Sequence, residues 1–148
     1  MSSYFSGVWY NELGSRMTIN YVSGGGFSGI YETAVGYAAG QYTLQGRYNT
    51  QPSSGGQAMA WAVAWQNAYL NSDSVTGWSG QYQTDPSTGA EEIYTLWLLA
   101  SEMDPDEDWA STNVGQDTFS RTQPSAEEVE RCRKARPASH PVKKPADG

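Results

Sequence analysis

The 148-residue sequence has very few of the side chains that most often build metal and nucleophilic sites. It contains one cysteine, Cys132, and one histidine, His140, and both lie in the last 26 residues. A single cysteine cannot form a disulfide within the chain, and the two residues are too few for a Cys/His metal site. A histidine-based catalytic triad in the first 122 residues is excluded for the same reason. We therefore expect neither a metal nor a cofactor.

Lysine is absent before Lys134, and long apolar runs are absent throughout. Residues 1–126 carry three arginines against twelve acidic side chains, a net charge of −9, whereas residues 127–148 carry six basic and four acidic side chains, a net charge of +2. Such an anionic body is a poor match for a phosphate backbone, so nucleic acid is not an expected partner. No run approaches the roughly 18 apolar residues of a membrane-spanning helix, so no membrane partner is expected.

Aromatic residues and glycine are abundant. Six Trp, ten Tyr and three Phe all lie in the first 119 residues, and 16 glycines punctuate the chain. Met17, Ile19 and Tyr21 alternate with polar residues, a period of two that is typical of a strand with one buried face. About eight such segments lie at even spacing between residues 8 and 121. They predict an all-β fold, either an up-and-down barrel or a sandwich.

The same alternation sorts side chains by face. If Trp65, Trp97 and Leu99 point into a barrel, a group of polar side chains shares that inner face. Buried polar groups need hydrogen-bond partners, and several around one void suggest that a ligand supplies them. The alternative is that these strands expose a polar face to water. The residues concerned are Asn11, Ser15, Tyr31, Thr33, Ser74 and Thr76, with Trp78 beside them.

Seven short segments in this order and spacing resemble the avidin–streptavidin family of biotin-binding proteins, with the bacterial streptavidin branch as the expected nearest group. The resemblance runs from about residue 7 to residue 125. It implies an eight-stranded antiparallel up-and-down β-barrel over residues 7–122, a fold that generally holds one small ligand. The segments are 9–15 (WYNELGS), 29–36 (GIYETAVG), 46–48 (GRY), 61–65 (WAVAW), 78–82 (WSGQY), 97–99 (WLL) and 115–119 (GQDTF).

The resemblance also implies roles for individual polar residues. Asn11, Ser15 and Tyr31 match the three donors that converge on the carbonyl oxygen of the biotin ureido ring. Thr33 and Asp117 match the acceptors for its two N–H groups. Three donors on one oxygen and a carboxylate opposite would polarise the ring and strengthen these hydrogen bonds.

The remaining implied contacts surround the rest of the ligand. Thr76 matches the hydroxyl near the thioether sulfur, and Ser74 matches the hydroxyl that holds the valerate carboxylate. A loop over the ligand and an apolar wall complete the pocket. Their residues are Val35, Gly36 and Ala38 in the loop, and Trp65, Trp78, Trp97 and Leu99 in the wall.

Assembly and location follow from the same resemblance. Trp109 matches the tryptophan that one subunit lends to the pocket of its neighbour, which implies a homotetramer. Secretion is also implied, with a signal peptide that is missing from the first residues of this sequence and would have been removed. Trp9, Trp61 and Phe119 are expected in the core rather than at the ligand.

Some positions depart from the streptavidin pattern. Thr33 stands in place of serine, which keeps the hydroxyl and adds a methyl group. Tyr37 alters the loop over the ligand. Because this loop affects ligand dissociation most directly, the off-rate is the property that we expect to differ. Gln116 and Leu96 differ at the expected subunit interface.

A second function from another class is a glycan-binding β-protein, either a lectin or a jelly-roll glycosidase, which aromatic faces and acidic residues would suit. A glycosidase needs two carboxylates across one cleft. Only Glu12, Glu32 and Asp117 are candidates outside turns. Glu32 should point away from the face shared by Tyr31 and Thr33, because adjacent strand residues alternate. The leading hypothesis is therefore a non-enzymatic biotin-binding protein.

Residues 123–148 form a tail of different character. Ser125 and Glu128 have capping-box spacing, so a short helix is possible over 126–136, and Pro137 would end it. Residues 137–148 contain three prolines and no aromatic residue, which favours disorder. Two alternatives remain open: the helix docks on a neighbouring chain, or the tail folds into an empty pocket.

Overall fold

A computed structural model describes residues 5–33, 40–53, 55–66, 74–135 and 137–141. Eight antiparallel strands follow one another around a closed barrel, and Tyr10 of the first strand pairs with Ser120 of the last. This confirms the eight-stranded antiparallel barrel and excludes the sandwich. The strands are β1 (Gly7–Tyr10), β2 (Arg16–Ser23), β3 (Gly26–Thr33), β4 (Gly40–Tyr48), β5 (Gln57–Ala64), β6 (Ser74–Thr84), β7 (Glu91–Ser101) and β8 (Thr112–Ser120).

The alternation read from the sequence matches the burial of the strands. In β5 and β7, every second residue is buried and the residues between them are exposed or half-buried. The hairpin expected between β2 and β3 has its last pair at Ser23 and Gly26. Glycine at positions 24 and 25 is required there, because both have positive φ angles of 59° and 87°.

One end of the barrel is filled by aromatic side chains. Phe5 packs edge-on against Phe27 and Tyr48 at centroid distances of 5.4 and 5.0 Å. The Trp9 indole donates a hydrogen bond to the Phe5 carbonyl at 2.8 Å, and the guanidinium of Arg121 lies 3.7 Å from the centre of the Trp9 ring. This packing closes one end, so any ligand must enter from the other end. The expected core residues Trp9, Trp61 and Phe119 are all buried.

Two short helices flank β8. A 3-10 helix, Pro105–Ala110, precedes it, and helix α1 (Ala126–Ala135) follows it. The Glu128 N–H donates to Ser125 Oγ at 3.2 Å, which is the capping contact that the sequence spacing predicts. Within the described ranges, no helix is long and apolar enough to span a membrane.

The tail beyond α1 differs from the disorder expected there. Residues 137–141 lie at the open end of the barrel, where Ser139 and His140 are buried. Residues 136 and 142–148 lie outside the described residues.

Candidate functional site

The open end of the barrel contains a buried polar cluster that starts at the turn between β1 and β2. Asn11 is buried, and its side-chain oxygen accepts hydrogen bonds from the backbone N–H groups of Leu13 and Ser15 at 3.0 and 2.9 Å. These bonds hold the turn, as asparagine side chains often do. The Asn11 amide nitrogen is then directed at the Tyr31 hydroxyl at 3.3 Å and at Asp117 at 3.4 Å.

Asp117 is the buried carboxylate of this cluster. It lies on β8 and has no exposed surface. Its Oδ2 accepts a hydrogen bond from the Trp78 indole at 2.9 Å in addition to the Asn11 contact. Strand β6 and the turn after β1 therefore meet at this carboxylate on β8, although residues 11 and 117 are far apart in sequence.

Glu12 lies beside Asp117, a neighbour that the sequence reading did not identify as part of the site. Its Oε2 accepts a hydrogen bond from the Thr118 N–H at 3.2 Å. Burial, and then the charge of Asp117 and a hydrogen bond between the two carboxyl groups, raise the pKa of Glu12 to about 8. Glu12 is therefore largely protonated at neutral pH.

One oxygen of each of these two carboxyl groups has no partner among the other described residues. Glu12 Oε1 and Asp117 Oδ1 are buried and receive no hydrogen bond from the N–H and O–H groups of the described residues. Protonated Glu12 has an O–H group that can donate a hydrogen bond to the neighbouring Asp117. The sequence groups Glu12 with Asp117 only as glycosidase candidates outside turns, whereas Glu12 lies in the turn between β1 and β2.

Aromatic side chains form the walls around the polar cluster. Tyr31 lies between Trp65 and Trp78, with ring centroids 5.7 and 5.0 Å away. Trp78 is also stacked on Trp61 at 5.5 Å. Trp97 and Leu99 are buried on the same inner face, in agreement with the alternation. Burial and the charge of Asp117 raise the pKa of Tyr31, so its hydroxyl stays protonated and able to donate.

Hydroxyl groups lie towards the mouth. Thr76 is fully buried and accepts a hydrogen bond from the Trp65 indole at 2.8 Å. Ser74 is buried, and its Oγ has no hydrogen-bond partner among the described residues. Thr33 is buried at the end of β3. A ligand with polar groups near these three side chains would find hydrogen-bond donors and acceptors already in place.

The C-terminal segment lies in this region. The Thr76 hydroxyl donates a hydrogen bond to the Ser139 carbonyl at 2.5 Å, and Ser139 lies beside the Tyr31 hydroxyl. The His140 ring contacts the edge of Trp65 at a centroid distance of 6.4 Å. Burial lowers the pKa of His140, so its imidazole is neutral at neutral pH.

Four predicted site residues are not brought to this pocket by the described structure. Trp109 is 86% exposed on the 3-10 helix. Val35, Gly36 and Ala38 lie outside the described residues. The other eleven predicted contact positions lie on the inner face or on the turns at the open end. They are Asn11, Ser15, Tyr31, Thr33, Trp65, Ser74, Thr76, Trp78, Trp97 and Leu99, and Asp117 joins them from β8.

A closed antiparallel barrel with a polar cluster inside an aromatic wall has the architecture of the barrels that hold one small ligand. Comparison with known proteins makes the class specific. The chain belongs to the Avidin family, whose model matches residues 2–122.

Relatives from two animals support this membership. Avidin of Gallus gallus is 37% identical over 121 residues, covering 78% of this chain and 76% of that protein. Avidin-related protein 4/5 of the same species is 39% identical over 119 residues with the same coverage. Fibropellin-1 of Strongylocentrotus purpuratus is 32% identical over 126 residues, which is 80% of this chain but 11% of that protein. These matches establish the family but give no support to the expected place in the bacterial streptavidin branch.

Proposed function

We propose that this protein is a non-enzymatic, high-affinity binder of biotin. The observation that carries the proposal is the convergence of Asn11, Tyr31 and Asp117 in a buried, tryptophan-walled interior. A cyclic urea presents one carbonyl oxygen and two N–H groups, so it needs donors on one side and acceptors on the other. The site offers both kinds, and membership of the Avidin family supports biotin as the urea.

The donors of the proposed complex are Asn11, Ser15 and Tyr31, directed at the ureido oxygen. Asp117 and Thr33 accept from the two N–H groups. A carboxylate acceptor strengthens the hydrogen bond from the ring. Buried donors and acceptors of this kind favour a ligand that pairs them all and reject analogues that do not.

The walls and the mouth serve the rest of the ligand in this proposal. Trp65, Trp78, Trp97 and Leu99 cover the apolar bicyclic ring. Thr76 lies near the sulfur, and Ser74 donates its unpaired hydroxyl to the carboxylate. The predicted loop contacts Val35, Gly36 and Ala38 complete the closure over the ligand.

A glycosidase is not favoured, because the carboxyl groups are arranged wrongly. Glu32 lies outside the barrel, where it pairs with Arg16 at 2.6 Å and accepts from Gln41 at 2.9 Å. Glu12 and Asp117 are hydrogen bonded to each other. Glycosidase carboxyl groups stand at least about 5 Å apart with the sugar between them.

We also propose a homotetramer in which Trp109 covers the pocket of a neighbouring subunit. An apolar surface outside the barrel supports this assembly, since Leu96, Leu98 and Val114 are 60%, 56% and 65% exposed. They line a surface groove of about 1030 Å³ together with Trp97 and Gly115. A contiguous apolar surface of this kind generally marks a protein interface. Secretion remains part of the proposal, on the strength of the family resemblance.

Isothermal titration with biotin tests the site, with Asp117→Ala as the informative variant. This change leaves a ligand N–H without its acceptor, so we expect binding weaker by roughly 10- to 100-fold, the equivalent of about 1–3 kcal/mol. Glu92→Ala is the matched control, because it removes an exposed carboxylate outside the barrel. Circular dichroism checks that both variants fold.

The outcomes separate the site from the function. An unchanged dissociation constant in Asp117→Ala removes this residue from the site. The proposed function is overturned if biotin binds neither to the wild-type chain nor to a variant whose C-terminal tail no longer occupies the open end of the barrel. A glycan array then tests the alternative.

A further inference from the structure

The segment at residues 137–141 (PASHP) lies inside a pocket that is otherwise shaped for a small molecule. Ser139 has no exposed surface and His140 is 3% exposed, although neither belongs to a strand. Serine and histidine are rarely enclosed this completely without a binding partner. The segment therefore needs an explanation beyond chain connectivity.

Helix α1 delivers the segment to the mouth of the barrel. The side chain of Val129 lies 3.4 Å from where a β-carbon on Gly14 would be, so the helix packs against the turn that carries Asn11 and Ser15. The helix ends at Ala135, two residues before the segment begins. The tail is thus attached beside the pocket, which gives it a high effective concentration there.

The docked segment uses groups that the proposed biotin complex also needs. Thr76 donates to the Ser139 carbonyl at 2.5 Å, and Ser139 lies beside the Tyr31 hydroxyl. The His140 ring packs edge-to-face against the Trp65 ring, with the ring centroids 6.4 Å apart. Biotin and this segment cannot both occupy these three side chains.

Charge favours docking of the tail as a whole. Residues 127–148 carry a net charge of +2, and residues 1–126 carry −9. The cations Arg133 and Lys134 stay in solvent, with side chains 62% and 77% exposed. Residues 137–141 contain no acidic or permanently charged side chain, so the part that enters the pocket is the part that costs least to desolvate.

The fit is incomplete, which makes the segment displaceable. With the tail in place, Ser74 Oγ, Ser139 Oγ and the Trp97 indole N–H are buried without hydrogen-bond partners among the described residues. Unpaired buried polar atoms weaken a complex. A ligand that pairs Ser74 would therefore bind more tightly than the segment.

From these contacts we infer that residues 137–141 are an intramolecular ligand of the pocket, which biotin must displace in order to bind. The inference rests on the proposed function for the identity of the competing ligand. The docked tail itself does not depend on that function.

The test uses the full chain with Ser139→Glu, which forces a carboxylate into a fully buried position and so releases the tail. Ala135→Glu is the matched control, because it adds the same charge at an exposed position at the end of α1. Both changes lie outside the barrel strands, and thermal unfolding confirms that the barrel is intact.

Hydrogen exchange without biotin tests the docking alone. We expect amides 138–140 to be protected in the wild type and in Ala135→Glu, and to exchange freely in Ser139→Glu. Free exchange of these amides in the wild type overturns the inference. Their protection supports it even if no variant binds biotin, in which case only the proposed function fails.

Biotin kinetics test the competition. If the tail fills nine pockets in ten, Ser139→Glu should associate with biotin about tenfold faster than the wild type, because only open molecules bind. The dissociation rate should be the same in all three proteins, since the tail is absent from a loaded pocket. Equal association rates, or amides 138–140 that remain protected after biotin binds, overturn the inference.

Discussion

At the scale of single residues, the pair of carboxyl groups at Glu12 and Asp117 carries the chemistry of the pocket. Asp117 alone accepts hydrogen bonds from Trp78 and Asn11, while Glu12 holds a proton against it. Two buried negative charges in contact would repel each other strongly. The proton on Glu12 therefore stabilises the folded barrel.

Replacing Glu12 with glutamine should change how stability depends on pH. The pKa of Glu12 in the folded protein, about 8, lies above its ordinary value of 4.5, so the folded state binds more protons than the unfolded state between these values. The stability that this group contributes is fully present below pH 4.5 and is lost as the pH rises through about 8.

We expect Glu12→Gln to lose this decline, since its amide does not titrate. Urea unfolding at pH 5, 7 and 9 measures the free energy of unfolding of both proteins. Glu32→Gln is the control, because Glu32 is an exterior carboxyl group whose pKa is lowered by Arg16. Parallel stability curves for wild type and Glu12→Gln would show that no proton is held in the pair.

At the scale of elements, pairing between β7 and β8 shapes one wall of the pocket. Trp97 of β7 lies opposite Gly115 of β8, and both point inwards. A β-carbon on Gly115 would lie 2.3 Å from Cζ2 of the Trp97 indole. Glycine is required here because the ring covers the neighbouring backbone. The sequence motif at 115–119 includes this glycine, but only the register explains it.

Gly115→Ala should push the Trp97 indole out of place. We expect the free energy of unfolding to fall by about 1–3 kcal/mol, as in other overpacked cores, and biotin binding to weaken with it. Gly77→Ala is the matched control on β6, where an added β-carbon meets nothing within 4 Å. Thermal unfolding and titration measure both effects. Equal behaviour of the two variants would mean that Trp97 has room to move.

At the scale of the whole molecule, a single chain leaves an apolar exterior surface and Trp109 exposed. Trp109 is 86% exposed on the helix between β7 and β8. Leu96, Leu98 and Val114 continue the apolar surface on the same two strands. The proposed tetramer covers both features at once and completes each pocket with a residue from a neighbour.

Native mass spectrometry of the full chain, with and without excess biotin, measures this assembly. We expect four chains carrying four biotins, and a loss of both biotin affinity and assembly in Trp109→Ala. Tyr21→Ala is the matched control, since Tyr21 is an aromatic residue 63% exposed on β2, away from the groove. A dimer fully loaded with biotin, or unchanged binding in Trp109→Ala, would remove Trp109 from the pocket of a neighbour.

The sequence by itself determined the strands, their inward faces and the polar side chains on those faces. Alternation of apolar and polar residues is a local property, so it is visible in the sequence as well as in the folded sheet. It therefore located Tyr31, Thr76 and Trp97 on one interior without any knowledge of which strands meet. Resemblance to a family added the barrel closure and the expected role of each side chain.

Only the tertiary structure decided which distant groups touch. Glu12 meets Asp117, and Thr76 meets Ser139 across 63 residues of sequence. Periodicity carries no information about such pairs, since they depend on closure of the barrel and on where α1 releases the tail. The raised pKa of Glu12 and the contacts of the tail with the pocket are both consequences of long-range packing, which brings buried polar groups together.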